Sequence, residues 1–208
     1  MELHEALAQI AEIRQQMART EVFRGYRAVP VAFSGLLAFA AAIYQTLWIA
    51  DPIAHLPSYL TLWIGAAVLS AVAAGLGMAW RARHAPASSW SREITRLAVE
   101  QFAPCLVAGG LMTIVLVRTA DDTLWALPGL WSILFSQGIF ASRRLLPPAI
   151  IAVAIFYLIA GLACLVLARG PNALSPWAMG IPFGLGQFLA AAVLYGTLER
   201  RDGHEEIR

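Results

Sequence analysis

Long apolar runs broken by short polar punctuation dominate this chain. Six of them approach the roughly 20 residues that a helix needs to cross a hydrocarbon layer of ~30 Å. They are Ala28–Ala50, about Tyr59–Trp80, about Ala103–Val117, about Leu124–Ser142, Leu146–Ala168 and about Pro176–Leu198. Charged residues mark their ends: Arg27 and Asp51 around the first, Arg81 after the second, Glu100 and Arg118 around the third. Arg143-Arg144 follows the fourth, Arg169 the fifth, and Glu199-Arg200-Arg201 the sixth. The third and fourth runs are short enough to leave open a tight hairpin in place of two full crossings. The pattern predicts an all-α fold: a polytopic membrane bundle of six transmembrane helices, spanning residues 28–198.

The runs are apolar on every face. Buried in water-soluble form, such helices would need a polar shell larger than this chain owns. Of the 208 residues, 59% are hydrophobic and 13% charged. A soluble domain of this size carries about a quarter charged residues. The net charge of +2 gives no footing for nucleic acid.

Arginine placement predicts the orientation. Thirteen arginines precede span one, follow span six or lie between spans two and three or four and five, against two (Arg118 and Arg169) in the other connections. The excess of positive charge on cytoplasmic loops places both termini in the cytoplasm, in a bacterial inner membrane. Trp48, Trp125 and Trp177 then fall at the outer boundary and Trp80 at the inner one, where amphipathic rings favour the headgroup layer.

The spans read as three pseudo-repeated hairpins. A proline opens the first helix of each (Pro30, Pro104, Pro148) and another opens the second (Pro57, Pro128, Pro176). Proline is tolerated at a helix start because its missing N–H has no helical partner there. The phrase Thr-Leu-Trp at 46–48 and 123–125 ends the first helix of two units, and it recurs out of register at 61–63.

Two amphipathic stretches precede the first two units. In residues 1–27, Leu3, Ala6, Leu7, Ile10, Ile13 and Met17 share one helical face. In a second cytosolic helix at about 89–102, Trp90, Ile94 and Leu97 do so, with Glu93, Arg96 and Glu100 spaced for ion pairs. Glutamates in the first stretch disfavour an anionic leaflet, so these helices are expected to pack on each other, on a second copy or on a protein partner, with lipid around the spans. A cytosolic tail, 199–208, closes the chain. The first 20 residues are too polar and acidic to read as a signal peptide.

Chemistry inside the membrane is sparse. An ionisable residue within a span is a functional-site hypothesis by default, and no Asp, Glu, Lys or His lies mid-span. Cys105 and Cys164 sit in apolar runs without CxxC or Cys/His spacing, which reads as small core residues rather than metal ligands. Asp121-Asp122 reads as a solvated turn. No acid, base and nucleophile constellation is present, so the chain is expected to be no enzyme and to carry no cofactor or metal.

Span six is the exception in texture. Pro182 sits among Gly180, Gly184 and Gly186, followed by Gln187. A proline within a helix removes one hydrogen bond, and in transporters such breaks mark binding sites. A ligand cavity there would draw on Tyr44 and Gln45 of span one, Ser136 and Gln137 of span four, and Tyr157 of span five. The competing reading is a close-packing stripe of small residues with a kink.

Glycine-bearing apolar helices flank a short loop from Tyr157-Leu158-Ile159-Ala160-Gly161 through Gly186-Gln187-Phe188. In that layout the chain resembles the HdeD-like acid-resistance membrane proteins. The resemblance implies a stress-related membrane role and assigns no functional residue. Two functions are expected from the whole: binding or passing a small neutral or hydrophobic ligand, or acting as a sensor or accessory subunit through the cytosolic helices.

Overall fold

The computed structural model describes residues 28–84 and 89–199. The expected amphipathic helix within Met1–Thr20 and the tail from residue 200 onward lie outside the described residues. Among the described residues six helices form: α1 Ala28–Trp48, α2 Leu56–His84, α3 Ser89–Thr119, α4 Leu127–Ser142, α5 Ile150–Leu167 and α6 Pro176–Leu194. Short 3-10 turns, Asp121–Ala126 and Gly170–Asn172, lead into α4 and α6, and a π-turn over Tyr195–Glu199 extends α6. Each helix is long and apolar enough to cross a membrane, α4 when taken with the 3-10 turn before it; the stretches Val99–Thr119 and Asp122–Ser142 of the third and fourth spans each hold 21 residues.

Three prolines sit at the first or second position of a helix, as the sequence suggests. Pro57 and Pro128 occupy the second positions of α2 and α4, and Pro176 the first of α6. Pro147 and Pro148 form the turn before α5, with Ile150 N–H donating to Pro147 O at 2.9 Å. That turn moves the start of the fifth helix from Leu146 to Ile150. Pro104 is a correction. It does not open a helix; it lies inside α3, because the stretch before it and the third span are one continuous helix. The separate cytosolic helix read at about 89–102 is therefore the first part of α3. A proline inside a membrane helix is tolerated when its surroundings satisfy the freed backbone.

Asp51 organises the α1–α2 connection. Its carboxylate accepts from the N–H groups of Ile53 and Ala54, both at 3.1 Å. One end of the bundle, here called distal, holds the α1–α2, α3–α4 and α5–α6 connections. The proximal end holds the start of α1, the other two connections and the end of α6.

The most extensive contacts join α1 to α6 and α4 to α5, rather than the two helices of each sequence hairpin. Glycine makes both approaches close. A Cβ on Gly129 would lie 2.7 Å from Gly161 O, and one on Gly161 would lie 2.8 Å from Gly129 O. On the other pair, a Cβ on Gly180 would meet Ala42 Cβ at 2.6 Å. Lipid tails are as apolar as leucine, so helices in a bilayer associate through such tight packing rather than through exclusion of water.

Two buried clusters fill the bundle. The proximal one joins Val31 of α1, Ile139 of α4, Val153 and Tyr157 of α5 and Leu194 of α6. The distal one joins Ala38 and Ala42 of α1, Tyr59 and Trp63 of α2, Leu127 of α4, Leu174 and Met179. Helix α2 enters only the distal cluster. Within the apolar stretch of each helix, 44% of α4 and α6 is buried and 39% of α1, against 6% of α2 and 11% of α3. The protein is thus a four-helix core of α1, α4, α5 and α6 flanked by α2 and α3.

Candidate functional site

Pro182 has no N–H, so the carbonyl four residues back, Ala178 O, loses its helical donor. The Cys164 thiol of α5 donates to that carbonyl at 3.3 Å. The broken hydrogen bond is thereby replaced from a neighbouring helix. Pro182, Gly184 and Gly186 are all buried. A Cβ on Gly184 would come within 2.5 Å of the Phe39 ring, and one on Gly186 would clash with the Tyr157 ring. Around Tyr157, ring centroids of Phe135, Phe183 and Phe156 lie at 4.8, 5.5 and 5.8 Å. Aromatic rings therefore occupy the space beside the break in α6.

The residues expected to line a ligand site divide into three groups. Pro182, Gly184, Gly186 and Tyr157 come together, spent on helix packing, with Gln187 half-buried beside Gly35 and making no side-chain hydrogen bond among the described residues. Tyr44 is on the exterior, its ring stacked on Trp48 at 4.9 Å. Gln137 is also exposed, whereas its neighbour Ser136 is buried and donates to Ala154 O of α5 at 2.8 Å.

Gln45 belongs to a different place. It is wholly buried, donates through Nε2 to Leu174 O at 2.8 Å, and accepts through Oε1 from Trp63 Nε1 at 2.8 Å. One amide thus ties α1 to α2 and to the α5–α6 connection. Leu174 is wholly buried with φ of 53°. A left-handed backbone costs a non-glycine residue roughly 1–2 kcal/mol. The Gln45 amide and the burial of the leucine side chain hold it there. Tyr59, one helical turn before Trp63, is also wholly buried, and its hydroxyl has no hydrogen-bond partner among the described residues.

A second tryptophan makes a matching contact. Trp131 Nε1 of α4 donates to Thr113 Oγ1 of α3 at 2.9 Å. In both cases the tryptophan of the second helix of a hairpin reaches a polar side chain of the first, 18 residues earlier in the chain. Sequence reading missed Tyr59, Trp63, Thr113, Trp131, Leu174 and Cys164. The available signal was tryptophan inside a span, away from the headgroup layer, since a buried indole N–H seeks an acceptor.

The buried polar residues are amides and hydroxyls: Gln45, Thr113, Ser132, Ser136 and Ser142. Gln45, Thr113 and Ser136 join helices by neutral hydrogen bonds, Ser132 donates back to Pro128 O of its own helix, and the Ser142 hydroxyl has no partner among the described residues. Among the described residues, no three or more His, Cys, Asp or Glu converge as metal ligands would. No protein-family model, curated protein or solved structure matches the chain.

Proposed function

We propose that this is a non-enzymatic protein of a bacterial inner membrane, both termini cytoplasmic, acting as a sensing or accessory subunit. It works through its flanking helices α2 and α3 and the amphipathic segment of residues 1–27. The observation that carries this reading is the low burial of α2 and α3, 6% and 11% of their apolar stretches, beside a tightly packed core. A helix committed to the chain's own core would share the burial of α1, α4 or α6. The aromatic filling beside Pro182 also speaks for a solid core over a conduit for polar solutes.

Photo-crosslinking in native membranes tests it. A benzophenone amino acid replacing Leu76 of α2 or Leu111 of α3 should yield discrete protein adducts, and one replacing Ile159 of α5 should yield lipid adducts alone. Lipid adducts alone at all three positions reject the reading. Deleting Met1–Thr20 should also abolish the protein adducts while the six-helix fold persists.

A second reading, binding of a small neutral or hydrophobic ligand, draws on the Tyr59 hydroxyl, which is buried with no hydrogen-bond partner among the described residues. Thermal stabilisation of the detergent-solubilised protein by members of a panel of lipids and hydrophobic solutes would support it. A Tyr59→Phe variant that responds as the parent does would reject that location.

A further inference from the structure

We propose that Arg169 and Trp125 form a binding site for the phosphate of a phospholipid headgroup at the distal end of the bundle. Arg169 stands two residues past Leu167, where both α5 and its apolar stretch end. At ~1.5 Å per residue its backbone lies about 3 Å outside the hydrocarbon edge. The headgroup layer adds roughly 5–8 Å on each side, and lipid phosphates lie within it.

The side chain is held in place. Its Nε donates to Leu165 O at 3.0 Å, one of the carbonyls that a helix end leaves without a partner. The guanidinium therefore folds back beside the last turn of α5. It lies over the Trp125 ring, with Cζ 4.3 Å from the centroid. Trp125 is half-buried in the 3-10 turn before α4, so a second distal connection supplies the platform. Gly170, with φ of 56°, turns the chain immediately after the arginine, a conformation that glycine adopts without steric cost.

These contacts occupy Nε and one face of the guanidinium plane. Among the described residues the fork of the two Nη groups makes no hydrogen bond, and Arg169 makes no ion pair. Asp122, exposed in the same turn as Trp125, is the competing anion, and it is not paired with Arg169. Arg169 itself is exposed. A planar fork matches two oxygens of a phosphate, and a fork already held in place loses less freedom on binding. Arg118 and Arg169 are the two arginines of the distal connections. Arg118 is exposed as well, but no hydrogen bond or ring contact among the described residues holds its guanidinium. The site depends on neither reading of the protein's role and on neither orientation, because both leaflets carry phosphate.

Native mass spectrometry of the full-length protein released from nanodiscs tests this. The sole lipid would be phosphatidylglycerol, phosphatidylethanolamine or the phosphate-free digalactosyl diacylglycerol. The parent should retain one more molecule of either phospholipid than Arg169→Gln does. Occupancy of that molecule should be about tenfold lower in the variant, as loss of a hydrogen bond to a charged group implies. Trp125→Leu, which keeps the charge and removes the platform, should lower it about threefold. Arg118→Gln should leave it unchanged. Should Arg169→Gln be poorly recovered, Arg169→Lys keeps the charge without the fork and should retain the lipid less well than the parent. Equal retention of the galactolipid, retention by the Arg169 variants matching the parent, or an equal loss in Arg118→Gln overturns the proposal.

Discussion

The thiol of Cys164 donates to the carbonyl of Ala178, the acceptor that Pro182 leaves without its helical N–H. A net hydrogen bond is worth roughly 0.5–1.5 kcal/mol, and a thiol is a weak donor. Cys164→Ala is therefore expected to cost about 1 kcal/mol in reversible unfolding, with Cys164→Ser close to neutral. The coupling to Pro182 is the sharper test. In a Pro182→Ala background the helix supplies its own donor to Ala178 O, so the hydrogen-bond part of the Cys164→Ala cost should vanish. Equal costs in both backgrounds would mean that the thiol merely fills space.

Gln45 satisfies two buried groups at once, Trp63 Nε1 and Leu174 O. Leaving a buried donor or acceptor unpaired costs about 1–3 kcal/mol each. Gln45→Leu should therefore destabilise by roughly 2–6 kcal/mol, among the largest effects of any single change in α1. Tyr44→Leu, one residue away on the exposed face, should change stability by less than about 0.5 kcal/mol. Thermal melts in detergent would compare the two, and similar shifts would refute the assignment.

The glycines separate into those that hold helices together and those that do not. Gly129→Ala and Gly161→Ala each force a methyl against the opposing backbone carbonyl at under 3 Å. Overpacking of this kind costs typically ~1–3 kcal/mol. Gly75→Ala and Gly110→Ala meet nothing within 4 Å, and each should instead stabilise by up to ~1 kcal/mol through helix propensity. Both pairs moving in the same direction would contradict the packing described here.

Topology is open to a direct check. Arg143 and Arg144 are exposed between α4 and α5, at the proximal end expected to be cytoplasmic. A fluorescent protein that matures only in the cytoplasm should glow when fused after Arg208. Alkaline phosphatase, active only outside it, should work when fused after Thr119 and fail when fused after Arg144. The opposite pattern would reverse the orientation.

The number of apolar spans and their approximate positions were legible in the chain because the bilayer imposes a length and a hydropathy on each helix separately. The prolines at 57, 128 and 176 punctuate as read, since a helix start is a local matter. Pro104 misled because a proline can also sit inside a helix when the residues before it continue the turn, and only the fold reveals which. The residues assigned to a cavity were chosen for chemistry and depth along their spans. Depth says nothing of azimuth, which is why Tyr44 and Gln137 face outward while Gln45 faces in.

What the sequence by itself determined is an all-helical chain with six apolar segments able to cross a membrane and almost no charge within them. Which helices lie together was decided only in three dimensions. Every span is apolar all round, so no hydrophobic stripe marks a buried face, and partner choice falls to close-range shape. Gly129 against Gly161, and Gly180 against Ala42, bring α4 to α5 and α1 to α6 across positions far apart in the chain. The same physics leaves α2 at the margin, with Tyr59 and Trp63 its buried side chains among the described residues.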